Sequence, residues 1–128
     1  MKKRNGFTLI ELLAVIAILA IILLIAVPMI LSVINNAKKS AFASSCKMIV
    51  SAAEKHYALG LATGVNNAKT YSFTSPSAGE GPASDFVTAK GITAGKVAIA
   101  ATGTITIPTA ISDGTYSTTD AACTTITG

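Results

Sequence analysis

The sequence predicts an α+β fold, in which one long N-terminal helix packs its second half on a small antiparallel sheet. Three observations carry that expectation. Residues 12–27 contain no polar side chain. From Ile34 to Tyr57 apolar residues recur at spacings of mostly three and four, the period of a helix with one buried face. Beyond Val65, short runs of Val, Ile, Thr and Tyr alternate with Gly, Pro and Asp-Gly, the punctuation of strands and turns.

At 128 residues the chain holds at most one modest domain and an appendage. It is 51% hydrophobic and 12% charged, about half the charged share of an ordinary soluble domain. The apolar excess sits in the first third, and the rest is rich in Ala, Thr, Ser and Gly. Of ten cations, Lys2, Lys3 and Arg4 precede Gly6, so a chain beginning at Phe7 keeps seven against six acids and the formal +4 falls to +1. Lys69, Lys90 and Lys96 are scattered over the C-terminal half without aromatic platforms, so direct nucleic-acid binding is not expected.

The elements follow in order. Residues 1–6 form a short basic leader. Residues 7–31 form a membrane-length helix: Leu12–Leu31 covers about 30 Å at 1.5 Å per residue, the thickness of a bilayer core. A buried core helix would show a polar face, and this run is apolar all round. A secretory signal peptide would be shorter and end at a small-residue cleavage motif; Ala20 and Ala26 imitate one weakly, but the helical pattern continues past them. The expectation is a retained membrane helix. Lys2, Lys3 and Arg4 on one side against Lys38 and Lys39 farther off on the other orient the N-terminus to the cytoplasm. Pro28 removes a backbone donor and crowds the carbonyl of Leu24, which predicts a kink.

Residues 32–60 continue as the amphipathic half of the same helix, burying Phe42, Cys46, Ile49, Val50, Ala53 and Tyr57. Leu59-Gly60 reads as the helix end with a glycine cap, so the helix spans about 78 Å from Thr8 to Leu59. Residues 61–128 form a small β-rich head. Strands are expected at Tyr71–Phe73, Val97–Ala101, Thr104–Ile107, Thr115–Ser117 and Thr124–Ile126, with a hairpin turn at Thr102-Gly103, another turn at Asp113-Gly114 and a loop at Ser75–Ser84. A head of this size has little core by itself, and the helix stripe supplies the missing apolar surface.

Chemistry-bearing residues are sparse. Cys46 and Cys123 lie far apart without paired spacing, so zinc is not expected. They are either two buried thiols or a disulfide tying the C-terminal strand to the helix, the bridge being favoured if the head is extracytoplasmic. His56 is the single histidine, expected as a surface or satisfied helix residue. Asp113 and Asp120 are too few acids for a calcium site. No cofactor or metal is predicted, and no nucleophile, base and orienting group can be assembled, so the chain is not expected to be an enzyme.

Glu11 is the exception. A charged residue at a membrane-length helix is costly, roughly 2.5–3.5 kcal/mol at the bilayer centre and less near an end, so it needs a reason to be there. Thr8-x-x-Glu11 fits a capping box, which supplies one.

The stretch Lys2-Lys3-Arg4-Asn5-Gly6-Phe7-Thr8-Leu9-Ile10-Glu11, with the apolar helix that follows it and Pro28 inside that helix, resembles the start of type IV prepilins and related pseudopilins. The resemblance covers residues 1–55 and not the head. It implies cleavage between Gly6 and Phe7 by a membrane-embedded prepilin peptidase, and N-methylation of the new Phe7 amine. It also implies storage in the membrane, then stacking by an ATP-driven assembly machine into a helical homopolymer. Glycine at position 6 lets a protease approach the backbone closely. Glu11 then pairs in an apolar filament core with the Phe7 amine of a neighbouring copy, and Pro28 allows local melting at residues 24–28 in the filament. The expected function is the structural subunit of an extracellular type IV pilus on the bacterial surface. The head surface would decide adhesion or twitching motility. The alternative is a pseudopilin of a type II secretion or competence machine.

Overall fold

The computed structural model describes residues 6–128; Lys2, Lys3 and Arg4, which carry the leader and orientation readings, lie outside the described residues. The element order is α1 (Leu9–Thr63), β1 (Thr70–Ser72), β2 (Gly81–Pro82), a 3-10 turn (Ala83–Asp85), β3 (Ala94–Ile99), β4 (Ile105–Ser112) and β5 (Ser117–Thr118). The protein is α+β, as its sequence predicts. The chain divides into two compact units, one ending at Ala37 and the other Lys38–Gly128.

In the first unit α1 is apolar all round, and its most apolar window has a mean hydropathy of 3.2 with none of it buried. It is long and apolar enough to cross a membrane. Pro28 lies inside α1, which stays helical through it.

The helix ends later than the sequence suggests. It continues past Gly60 to Thr63, and Gly64 takes the left-handed cap position at φ 72°. Val65 N–H donates to Gly60 C=O at 2.9 Å, the long-range bond of a Schellman ending. Gly60 itself is a close-approach residue. A Cβ there would lie 2.6 Å from Asn67 Nδ2, which donates to His56 C=O at 2.8 Å.

The sheet has the order β2-β1-β3-β4-β5, antiparallel except for the β1–β2 pair. The β3–β4 hairpin turns at Thr102-Gly103, closed by Ala100 N–H to Thr104 C=O at 2.9 Å. Both strands run longer than expected because β4 absorbs two irregularities. Lys96 pairs with Thr109 and Ala98 with Thr106, so Ile107 and Pro108 together oppose Val97. A bulge of this kind leaves ladder positions unpaired, which accommodates a proline without an N–H. The second irregularity sets Ala110 and Ile111 opposite Gly95, whose φ is 125°. The segment expected as a last strand at Thr124–Ile126 forms only a bridge between Ser117 and Thr127. Gly81–Pro82, expected as loop, pairs with Tyr71-Ser72.

The head core lies between the second half of α1 and the sheet. Phe42, Cys46, Ile49 and Ala53 are buried with Tyr71, Val97, Ile99, Ile107 and Ile111, while Val50 and Tyr57 pack at its border. Alternate residues Gly95, Val97 and Ile99 of β3 point inward, as a half-buried strand requires. Full burial of each large aliphatic contributes about 1.5–3 kcal/mol, so the shared helix–sheet interface is what stabilises so small a head.

Candidate processing and assembly site

Gly6, Phe7 and Thr8 precede the first helical residue, and Thr8 is the N-cap of α1. The capping box is closed in both directions. Thr8 N–H donates to Glu11 Oε2 at 2.9 Å, and Glu11 N–H donates to Thr8 Oγ1 at 3.3 Å. Thr8 Oγ1–H also donates to Glu11 Oε2 at 2.9 Å. Among the described residues, all the carboxylate's bonds land on Oε2, which leaves Oε1 as an acceptor for a further donor.

The Gly6–Phe7 segment, where cleavage is expected, is exposed. Phe7 is 87% exposed, and a Cβ added to Gly6 would meet nothing within 4 Å. Among the described residues, nothing on the C-terminal side blocks approach to the Gly6–Phe7 bond. Phe7, Glu11, Leu12, Val15 and Ile16 line a shallow, almost wholly apolar trough of about 480 Å³ along one face of α1. Only Phe7 and Glu11 of these are singled out by sequence reasoning. Leu12, Val15 and Ile16 follow from Glu11 at one, four and five residues, a spacing readable in retrospect as one helical face. Their carboxylate neighbour is the polar group of an otherwise apolar surface.

The other residues of interest lie in the head unit. Cys46 and Cys123 form a disulfide with a Cα–Cα distance of 5.9 Å, joining α1 to the C-terminal loop across 77 residues. His56 Nε2 is 2.9 Å from Tyr71 Oη, which itself donates to Asn67 C=O at 3.1 Å. The phenol's one proton is thus committed, so His56 donates through Nε2. Phe86 packs against both rings, at centroid distances of 5.4 Å from His56 and 5.0 Å from Tyr71. Burial, with the Asp85 carboxylate adding to it, pushes the Tyr71 phenol above its usual pKa. His56 is a satisfied packing residue.

The two acids considered for calcium each organise their own turn. Asp113 Oδ1 accepts the amides of Thr115 and Tyr116 at 2.8 and 2.7 Å. Asp120 accepts the Thr124 hydroxyl at 2.6 Å and the amides of Ala122, Thr124 and Thr125. These bonds, the Thr124 hydroxyl foremost, hold its pKa down at about 2.

Residues 1–27 match a family model described as the prokaryotic N-terminal methylation motif. The chain therefore carries the type IV prepilin signal, which supports the type IV pilin family. No curated protein and no solved structure matches the chain.

Proposed function

We propose that this chain is the structural subunit of an extracellular type IV pilus, assembled through α1 after its leader is removed. The observation that supports this most strongly is the one at the start of α1. Among the described residues, an open Gly6–Phe7 bond stands four residues before a carboxylate whose second oxygen accepts no bond, on a helix whose most apolar window is unburied.

A prepilin peptidase hydrolyses the Gly6–Phe7 amide with water on the cytoplasmic side, and the new Phe7 amine takes a methyl group from a sulfonium methyl donor, which leaves as a thioether while the amine loses a proton. The cut precedes the apolar run, so the membrane anchor survives it. With the leader gone, the mature chain starts with a cation at Phe7 and an anion at Glu11. Once the helix leaves the membrane for an apolar filament core, an unpaired carboxylate would cost several kcal/mol. An ammonium about 4 Å away contributes roughly 4 kcal/mol at an effective dielectric near 20, more than the 0.5–2 kcal/mol of capping. Pairing across copies therefore outweighs the local cap, and it sets the stagger of neighbouring helices. The same apolar side chains that hold the subunit in the membrane then drive stacking.

Each copy meets the next through non-identical surfaces, so the array grows as an open helix. The partners are the peptidase, the assembly machinery, the membrane before assembly and other copies of the chain. The role is structural rather than catalytic. Pro28, which leaves the Leu24 carbonyl without its helical donor, supplies a place for local melting under load.

Mass analysis of the N-terminus of sheared surface filaments tests the proposal. A methylated chain beginning at Phe7 is expected. Intact Met1 in surface material would contradict it, and processed chains confined to short envelope-spanning assemblies would assign the chain to a secretion or competence machine instead.

A further inference from the structure

The positive-inside rule disfavours Lys and Arg just beyond the exported end of a membrane span. Lys38 and Lys39 stand there nonetheless, seven and eight residues beyond Leu31. Lys38 and Lys90 both line a cleft of about 350 Å³ in the head unit, with Phe42, Ile92, Asp113 and Tyr116 among others. That volume is within the usual range for small-molecule sites, about 300–1,000 Å³. Phe42 is buried and its ring lies 6.3 Å from that of Tyr116, which gives the cleft an aromatic floor. Over Lys38, Lys90 and Asp113 the lining carries a net charge of +1, and Asp113 Oδ1 is already taken by the Thr115 and Tyr116 amides.

We propose that this cleft holds the headgroup of an anionic phospholipid while the subunit is stored in the membrane. Lys38 follows Leu31 by only seven residues of sequence, about 10 Å of helical rise. The headgroup layer adds roughly 5–8 Å on each side of the hydrocarbon core. Side chains on a helix tilt toward its N-terminus, here toward the bilayer, so the Lys38 ammonium comes level with lipid phosphates. Lys90 meets the same phosphate from the head, and the glycerol end lies over Phe42 and Tyr116. The two lysines thus do for the stored subunit what scattered cations could not: they define a lipid-binding site at the first residue of the head. The proposal rests on the membrane-anchored reading of α1 and is independent of filament assembly.

The test uses the full chain inserted in vesicles of phosphatidylcholine, with or without phosphatidylglycerol, each carrying a trace of headgroup-tethered paramagnetic chelate. Selective NMR broadening of residues 90–92 and 113–116 is expected with phosphatidylglycerol only, fading as salt is raised. Lys90→Gln or Lys38→Gln should each lower the docked-to-free ratio roughly fivefold, from the usual contribution of one lysine at an anionic surface. Lys47→Gln, at an exposed helix position away from the cleft, should leave it unchanged. Equal broadening in both lipids, or none in an inserted chain, would overturn the proposal. A response that depends on protein density rather than lipid charge would also overturn it and assign the cleft to a second copy. A chain that inserts in neither vesicle would overturn the anchored reading and this site with it.

Discussion

Thr8 and Glu11 hold each other reciprocally, the Thr8 amide and hydroxyl on Glu11 Oε2 and the Glu11 amide on Thr8 Oγ1. The same carboxylate thus has a local role in the isolated subunit and, in our proposal, an intermolecular one in the filament. The two roles separate by mutation. Gln at the third helical position still completes a capping box but carries no charge. Glu11→Gln should keep helix and membrane insertion while sheared filament yield collapses, as read by immunoblot. Thr8→Ala should cost only about 0.5–2 kcal/mol of local helix stability and leave most filaments. Equal losses in the two variants would reduce Glu11 to a cap.

The disulfide between Cys46 and Cys123 closes a loop across 77 residues. Loop entropy assigns such a bridge roughly 4–5 kcal/mol as an upper figure. A Cys46→Ser/Cys123→Ser chain should unfold at a markedly lower temperature than wild type under oxidising conditions. In reductant the two should coincide. The comparison is made by circular dichroism on the full chain in detergent.

Asp120 sets the acid behaviour of the C-terminal loop. Its carboxyl pKa falls from 3.8 to about 2 on folding, because four hydrogen bonds favour the charged form. A depressed pKa contributes stability that is present above 3.8 and lost as pH falls through about 2. The gap in unfolding temperature between wild type and Asp120→Asn should therefore narrow steadily as pH is lowered across that window. A constant gap would mean the loop does not depend on the charge.

Much of the fold was legible because its signals are periodic. The helix stripe Phe42, Cys46, Ile49 and Ala53 is buried as its spacing predicts, and Thr102-Gly103 turns the hairpin where a glycine at φ 85° is needed. What escaped depends on contacts between segments. Gly60 and Gly64 look alike as helix terminators, and only the approach of Asn67 to Gly60 shows which is the cap. Gly95 and Pro108 lie outside the expected strands Val97–Ala101 and Thr104–Ile107, yet both sit at bulges that exist only once β3 and β4 pair. The parallel pairing of Gly81–Pro82 with β1 has no local signature. At the site, Phe7 and Glu11 stand out by charge and motif, whereas Leu12, Val15 and Ile16 are indistinguishable from the rest of an apolar run.

Gly95 provides a direct check on the bulged register. A Cβ there would lie 2.6 Å from Ile111 Cα and 2.8 Å from Ala110 C=O, at a φ of 125°. Gly95→Ala should destabilise the head by at least about 1–3 kcal/mol, the usual cost of such backbone strain. Denaturant unfolding measures it; a neutral result would mean β3 and β4 pair in another register.

The most direct measurement is a reconstruction of the assembled fibre at side-chain resolution. The methylated Phe7 amine of one copy is expected within about 4 Å of the Glu11 carboxylate of its neighbour, the contact distance of an ion pair. A Glu11 side chain still closed only on its own Thr8, with the nearest foreign Phe7 amine far away, would contradict it.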